Sequence, residues 1–466
     1  MCRGGEYMLA KNQKHEIDIT DLNNLGFGVG RVDGNVVFVS GAVDGDRVLA
    51  HIIYAAKDYA VAKTEKIITP SPYRADAELC QSSACGGCAF RSVTYEHERE
   101  LKRGQVYQCF RKAGLPNAEI MPLDGCDSIV HYRNKAQYPV SLDRDGKCVA
   151  GFYAPKSHRV VEASDCPLQP EIFSRIVKFL TSFFNEHSIK PYDEQTHTGV
   201  VRHIYLRKSS EGECMLTLVA NSRTVPHEAE LSTALKEKFP EITSFLINVN
   251  TEKTNVICGD EYRTVYGRGY IEDTVCGVRL KIKPQAFYQI NHDVAEKIYE
   301  KAKSLADFDG QECLLDLYCG TGSIGLSMAH SVRELVGVEV VEEAVECARE
   351  NARANGIDNA FFFCADATDT ENIIESAEKL SGRKINPDVT VLDPPRKGCS
   401  RELLDFLAKI ECKKIVYISC NPDTLARDAK ILCDHGYDMG TVHIYDMFPR
   451  TGHVESVVRF QRHFRQ

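Results

Sequence analysis

No stretch of this sequence stays apolar for anything like the roughly 20 residues a bilayer span requires, so a membrane-spanning helix and a membrane partner are not expected. The start, Met1-Cys2-Arg3-Gly4-Gly5, is not followed by the hydrophobic run of a secretory signal, and a cytoplasmic location is the expectation. An excess of positive charge is also missing. With a net charge of −9 there is no global attraction to phosphate, and nucleic-acid contacts would have to come from local basic clusters. Internal repeats and low-complexity segments are absent too. What is abundant is cysteine: 19 residues, an odd number without a secretory signal, which argues against a disulfide framework and for metal binding or catalysis by some of them. Most of the others read as small buried hydrophobes.

At 466 residues, with 43% hydrophobic and 26% charged content, the chain has ordinary globular composition and a length that suggests two to four domains. Residues 8–68 read as five short strands, 16–20, 28–32, 35–39, 47–54 and 60–67, broken by glycine turns at Asp33-Gly34-Asn35 and Asp44-Gly45-Asp46. That pattern predicts a small β-barrel, closed by Pro70-Ser71-Pro72. Residues 69–274 hold a cysteine-rich loop, a helix over 93–113 and alternating strand patterns, and read as an α+β middle domain. From 275 to 466 strands (313–317, 335–340, 360–365, 389–392, 414–419, 441–447, 454–460) alternate with helices such as 341–354 and 424–433, as a doubly wound α/β sheet requires.

Leu314-Leu315-Asp316-Leu317-Tyr318-Cys319-Gly320-Thr321-Gly322 is an apolar strand entering a glycine turn and a helix, the place where a cofactor approaches backbone closely. Glu339, at the end of the next strand, is placed to accept ribose hydroxyls. A dinucleotide site would share these features. The later Val391-Leu392-Asp393-Pro394-Pro395-Arg396 has no use in a dehydrogenase and turns the reading toward methyl transfer. Taken singly, Glu339 could be a solvated charge and Asp393 a turn residue; in sheet order they make a site.

Five motifs now carry a resemblance: Phe287-Tyr288-Gln289-Ile290-Asn291, Asp316 to Gly322, Asp393-Pro394-Pro395-Arg396-Lys397-Gly398, Ser419-Cys420-Asn421-Pro422 and Gly452-His453-Val454-Glu455-Ser456. From about 284 to 460 the chain resembles the catalytic domain of the RNA uracil-C5 methyltransferases, and as a whole it resembles their TRAM-bearing ribosomal RNA members. The resemblance implies an oligonucleotide-binding-like TRAM barrel, a middle domain with an iron-sulfur loop and a Rossmann-like methyltransferase domain. It also implies contacts of Gln289, Tyr318, Glu339 and Asp393 with S-adenosylmethionine, and Asp366 stands where an adenine contact is usual.

Uracil C5 is a poor nucleophile, and adding a thiolate to C6 makes it electron rich. Cys420 follows the strand 415–418 at the carboxyl edge where ligands gather. A base must then remove the C5 proton; the resemblance assigns this to Glu455, with His453 as second candidate. A buried apolar cysteine and an edge-strand glutamate are the bland readings. Cys80-x4-Cys85-Gly86-Gly87-Cys88 places three thiols within nine residues, and Cys166 offers a fourth. The ribosomal RNA members resemble the chain at all four positions and carry a four-iron four-sulfur cluster; zinc is the alternative.

The expected partner is RNA, 23S ribosomal RNA by resemblance of barrel and cysteine loop, with transfer RNA as the alternative. Basic and aromatic residues interleave at 131–135, 156–159, 202–203 and 207–208, as single-strand binding favours, although each group could equally be solvated surface. A uracil in a stem would have to be flipped out to be reached. Two other functions stay in view. An exocyclic-amine methyltransferase also has a Pro-Pro motif but follows it with an aromatic residue, where Arg396 stands here. A non-catalytic iron-sulfur RNA-binding protein would have no need for both Cys420 and Glu455.

Overall fold

The computed structural model describes residues 9–76, 80, 82 and 84–463. The Met1 to Gly5 start, residue 8 and residues 464–466 of the sequence-read domains lie outside the described residues. The first unit is a closed barrel of β1 (Lys14–Leu22), β2 (Phe27–Val32), β3 (Asn35–Ser40), β4 (Arg47–Ala55) and β5 (Tyr59–Thr69), in the order β1-β2-β3-β5-β4. Only β3 and β5 pair in parallel. Alternation builds it: on β4, Val48, Ala50 and Ile52 point inward and are fully buried, so one face of each strand fills the interior. Gly34 and Gly45 take the positive φ expected of them.

Helix α1 (Tyr95–Lys112) follows. A seven-stranded sheet then forms from β6 (Lys135–Leu142), β7 (Cys148–Tyr153), β8 (Val160–Glu162), β9 (Val201–Lys208), β10 (Cys214–Ala220), β11 (Ile242–Val249) and β12 (Glu261–Gly267), in the order β12-β11-β10-β9-β6-β7-β8. Helices α2 (Glu171–Glu186) and α3 (Glu228–Lys238) cover one face through Phe173, Ile176, Leu180, Leu231 and Leu235. On the other face Met215 and Leu246 pack against Ile271 and Ile282, which belong to the hairpin β13 (Ile271–Val275) and β14 (Val278–Ile282). That double cover explains why β10 is buried at every position.

The C-terminal unit is doubly wound: α4 (His292–Ala306), β15 (Cys313–Leu317), α5 (Ser323–Met328), β16 (Glu334–Glu339), α6 (Glu342–Ala354), β17 (Ala360–Cys364), α7 (Thr370–Ser381), β18 (Val389–Leu392), α8 (Arg401–Lys409), β19 (Lys414–Ser419), α9 (Pro422–Asp434), β20 (Tyr437–Met439), β21 (His443–Tyr445) and β22 (Glu455–Arg462). The sheet order is β17-β16-β15-β18-β19-β22-β20, with β21 also on β22. The first five strands are parallel, and β22 runs against β19. Residues alternate between two cores: Leu315, Leu317, Ile415 and Tyr417 face one layer of helices, Leu314, Val416 and Ile418 the other.

Two elements straddle the sequence-read boundaries. Val106 and Phe110 of α1 are buried with Leu425, Ala429 and Leu432 of α9, so this helix adds to the C-terminal core although it precedes the middle sheet. The hairpin β13–β14 crosses the 274/275 line, and its Val275, Val278 and Leu280 join the C-terminal core on the α4 side. Of the 441–447 strand pattern only His443–Tyr445 forms strand, as β21, and β20 precedes it at Tyr437–Met439. Among the described residues no helix is long and apolar enough to cross a membrane.

Candidate functional site

The carboxyl ends of β15, β16, β18 and β19 converge on one edge, as parallel strands must. After β15 the chain turns through Tyr318 at φ 65°, Gly320 at φ 55° and Gly322 at φ 81°. Nothing lies within 4 Å of a Cβ built on Gly320, which leaves bare backbone for a ligand to approach. Asp316, one residue before the end of this strand, is fully buried; its Oδ2 accepts from the Gly325 amide at 2.9 Å, and its Oδ1 is buried without a partner among the described residues. Burial lifts the Asp316 carboxyl to about 8, with Asp393 and Glu339 adding to it. Burial lifts Asp393, just after β18, to about 7. Among the described residues no cation offsets the rise of either carboxyl, a setting that suits a positively charged ligand.

Glu339 closes β16 with its carboxylate accepting from Gly320 N (3.1 Å), Val340 N (2.8 Å) and Val341 N (3.0 Å). It therefore fixes the glycine turn against its own helix entry. The Tyr318 ring is half-buried near Cys399 and Asp366. Asp366, beyond β17, accepts from the amide and hydroxyl of Thr368 at 2.8 and 2.6 Å, which hold its carboxyl below the usual range. Gln289 lines the cavity that also contains Cys88 and Cys166, its carbonyl accepting from Asn134 Nδ2 at 2.8 Å.

Cys420 follows β19, and the register of that strand on β22 ends in Ser419 opposite Ser456. One step further, Cys420 and Glu455 face each other. Asn421 caps α9, accepting from Asp423 N at 3.2 Å and donating its Nδ2 to the Arg396 carbonyl at 2.9 Å, so the loop after β18 and the cysteine turn are tied together. Burial pushes the Cys420 thiol up to about 11, helped by Glu455 and Asp393 and opposed by Arg396. Glu455 is 5% exposed; burial and then Asp393 drive its carboxyl well above the ordinary range, again against Arg396. Asp393 thus adds negative charge to both the thiol and the carboxyl. His453 is more exposed, 3.3 Å from Arg396 Nη2, and burial together with that cation lowers the proton affinity of its imidazole.

Cys80, Cys85, Cys88 and Cys166 line a single cavity of about 1000 Å³. Burial, then Cys166, lifts the Cys88 thiol to about 12, with Cys85 and Cys80 contributing. The amides of Ser82 and Gly87 point at the sulfurs of Cys80 and Cys85, each at 3.4 Å, and Arg91 holds the Ser82 and Cys85 carbonyls. Among the described residues, the one group of three possible metal ligands with all donor atoms within 4.8 Å of one another is His187, His227 and Glu230; no three of the four sulfurs are that close.

Arg133, Lys135, Lys156 and His158 of the first two basic clusters line this same cavity, together with Phe287, whose ring is 70% exposed, and Gln289. Among the described residues no carboxylate is in its wall. The third cluster does neither of the things the sequence allowed. Arg202, His203 and Arg207 are buried, with Arg202 bonding the carbonyls of Asn250, Glu252 and Thr254, and Arg207 those of Pro284 and Ala286. They tie β9 to neighbouring loops. A second cavity, about 790 Å³, contains Cys420 and shares Arg396 and His453 with the first. Arg396 is thus the hinge of the site; its position after the two prolines was visible in sequence, its role was not. Equally hidden was a buried group, Lys102 with Glu98 and Asp446 at 2.8 Å each and Arg450 beside Glu98, because its members lie more than 300 residues apart along the chain.

A doubly wound sheet whose strand ends gather buried acids, a glycine turn and a facing thiol defines a methyltransferase class of protein. The model of the tRNA (Uracil-5-)-methyltransferase family matches residues 95–463, and that of the TRAM domain matches residues 10–64. An uncharacterized RNA methyltransferase of Listeria monocytogenes is 40% identical over 451 residues, covering 97% of this chain and 98% of the relative. One of Clostridium acetobutylicum is 37% identical over 456 residues, covering 97% and 98%. The solved structure of Pyrococcus abyssi tRNA (uracil-54, C5)-methyltransferase in complex with S-adenosyl-L-homocysteine superposes with a TM-score of 0.77 at 26% identity, covering 96% of this chain and 100% of that one. The chain belongs to the RNA uracil-5-methyltransferase family, S-adenosylmethionine-dependent enzymes, and carries an N-terminal TRAM domain.

Proposed function

We propose that this chain makes 5-methyluridine in ribosomal RNA through a covalent bond between Cys420 and the target uracil. The observation that carries the reading is the pairing of Cys420 with Glu455 across β19 and β22, beside the buried Asp393. Cys420 adds its sulfur to C6, and the ring electrons move toward C5. S-adenosylmethionine supplies the methyl group that C5 takes. Glu455 then removes the C5 proton, and the carbon–sulfur bond breaks as the double bond re-forms and the thiolate leaves. Asp316, Glu339, Asp393, Tyr318 and Gln289 are the residues assigned to hold the cofactor, with Asp366 toward its adenine. The surplus of buried negative charge at Asp316 and Asp393 suits a sulfonium and an ammonium. Cys420→Ala is expected to lower methylation by about ten-thousand-fold and to abolish the adduct with 5-fluorouridine RNA, while Glu455→Gln accumulates adduct on ordinary uridine RNA. Undiminished turnover by Cys420→Ala would end this mechanism.

Cys80, Cys85, Cys88 and Cys166 are assigned to a four-iron four-sulfur cluster. A single zinc with bonds of about 2.3 Å needs sulfurs about 3.8 Å apart, closer than these four stand, whereas a multi-iron cluster spreads its thiolates. Protein purified without oxygen is expected to be brown and to contain iron; stoichiometric zinc without iron would reject the cluster. The likeness to a transfer RNA enzyme favours a second reading, with transfer RNA as substrate. Mapping 5-methyluridine in both RNAs from cells lacking this chain separates the two.

A further inference from the structure

The cavity that contains Cys420 has a second wall far from any motif. It is formed by one face of α1, where His97, Leu101, Gly104, Gln105, Gln108 and Lys112 recur at helical spacing, and by the barrel loop that includes Asn24. The two walls are fixed to each other, since His97 Nε2 is 2.6 Å from Asp44 Oδ2 of the barrel and its ring stacks on Tyr73 with centroids 3.7 Å apart.

Two observations on this face point to a ligand. Gly104 sits in the interior of an 18-residue helix, where glycine is among the least favourable residues, yet a Cβ there would have nothing within 4 Å. Packing within the chain does not call for it. The Nε2 of Gln105, one residue on, is buried with no hydrogen-bond partner, although a buried amide normally finds one. The wall also carries Asp21, Glu100 and Asp423 against Lys112 and Arg396, a mixed charge that does not favour phosphate. The neighbouring cavity, with Arg91, Arg133, Lys135, Lys156 and Arg396 in its wall and no acid among the described residues, does.

We propose that this cavity is a base-reading subsite: an unpaired nucleobase next to the target uracil lies flat over Gly104 while the amides of Gln105 and Gln108 read its edge. An amide offers both donors and an acceptor, which is what discrimination between base edges needs. The proposal rests on the reading that the target uracil enters beside Cys420.

The test uses the full chain and a pool of single-stranded RNAs with one central uridine between randomised flanks, sorted by noncovalent binding. Wild type is expected to enrich particular flanking bases, and Gln105→Leu and Gln108→Leu to lose that enrichment. Gly104→Ala is expected to move stability and binding in opposite directions: a melting temperature higher by about 2 °C and affinity for the enriched RNA lower by about tenfold, with S-adenosylmethionine affinity unchanged. A flat selection by wild type, enrichment that survives Gln105→Leu, or Gly104→Ala binding RNA as well as wild type would each overturn the subsite. A methylation assay of Cys420→Ser, run beside the selection, keeps the two readings apart: full turnover by Cys420→Ser sinks the nucleophile, whereas loss of enrichment in the α1 variants depends on recognition alone.

Discussion

Glu455 and Asp393 both raise the proton affinity of Cys420, and Asp393 raises that of the buried Glu455, while Arg396 works against the rise at Cys420 and Glu455. In the free chain Asp393 titrates at about 7, so below that pH its carboxyl is neutral and above it is an anion. A cationic cofactor prefers the anion, and binding it must release a proton wherever the carboxyl starts protonated. The affinity for S-adenosylmethionine is therefore expected to rise as pH increases from about 6 to about 8, with proton release measurable by calorimetry in buffers of different ionisation enthalpy. S-adenosylhomocysteine, which lacks the sulfonium charge, should show a shallower slope, and Asp393→Asn should reduce the slope for S-adenosylmethionine, leaving the part carried by Asp316, lifted to about 8. Equal slopes for the two ligands would show that Asp393 does not sense the sulfonium. The acids themselves were legible in sequence, because strand-end carboxylates after apolar strands have a known place in doubly wound folds. Their protonation was not, since it depends on burial that no local pattern reveals.

Elements with a strict period were the ones the sequence displayed. The five barrel strands alternate, and β15, β18 and β19 are apolar on both faces between helices, so their bounds come out at or near the observed residues. Pairing was less visible: nothing local in α1 says whether its Val106 and Phe110 meet the middle sheet or α9. The physical tie is a charge group. Lys102 Nζ is fully buried, donating to Glu98 and Asp446 at 2.8 Å and to the Phe448 carbonyl at 3.2 Å, and Glu98 in turn accepts from the Arg450 amide at 2.7 Å. The stretch so fixed, 446–450, leads directly into His453 and Glu455. Removing the cation leaves two carboxylates in the interior, with Arg450 beside Glu98, a loss of about 3 kcal/mol for a broken buried pair. Lys102→Met is expected to lower the unfolding free energy by about that amount in urea titration and to reduce RNA methylation more than S-adenosylmethionine binding. A change below about 0.5 kcal/mol would mean that the group is not a tie.

On the scale of the whole molecule, the barrel is wedged against the catalytic unit at one backbone crossing that no sequence pattern announces. A Cβ on Gly452 would lie 2.0 Å from the Asn24 carbonyl oxygen and 2.7 Å from its carbon, and backbone cannot swing aside as a side-chain tip does. The same loop packs on the cysteine-rich segment, where Leu22 and Val43 of the barrel are buried with Phe90 and Val93. Phe90 N in turn donates to the Arg450 carbonyl, and the Arg450 guanidinium bonds the Val93 carbonyl at 2.7 Å. Barrel, cysteine loop and the turn that carries His453 and Glu455 therefore meet within a few residues, whereas Gly320, Glu339 and Asp316 belong to β15 and β16 on the other side of β18. One added methyl at Gly452 should separate these two halves of the site. Gly452→Ala is expected to leave the Kd for S-adenosylmethionine within about twofold of wild type, because strands of the sheet stand between, and to lower kcat/KM for RNA by about a hundredfold, the cost of misplacing reacting groups by about an ångström. Steady-state methylation with varied RNA, set beside cofactor calorimetry, measures both. A normal kcat/KM would mean that the barrel can shift off the turn without moving Glu455, and equal damage to both constants would place the disturbance in the sheet itself.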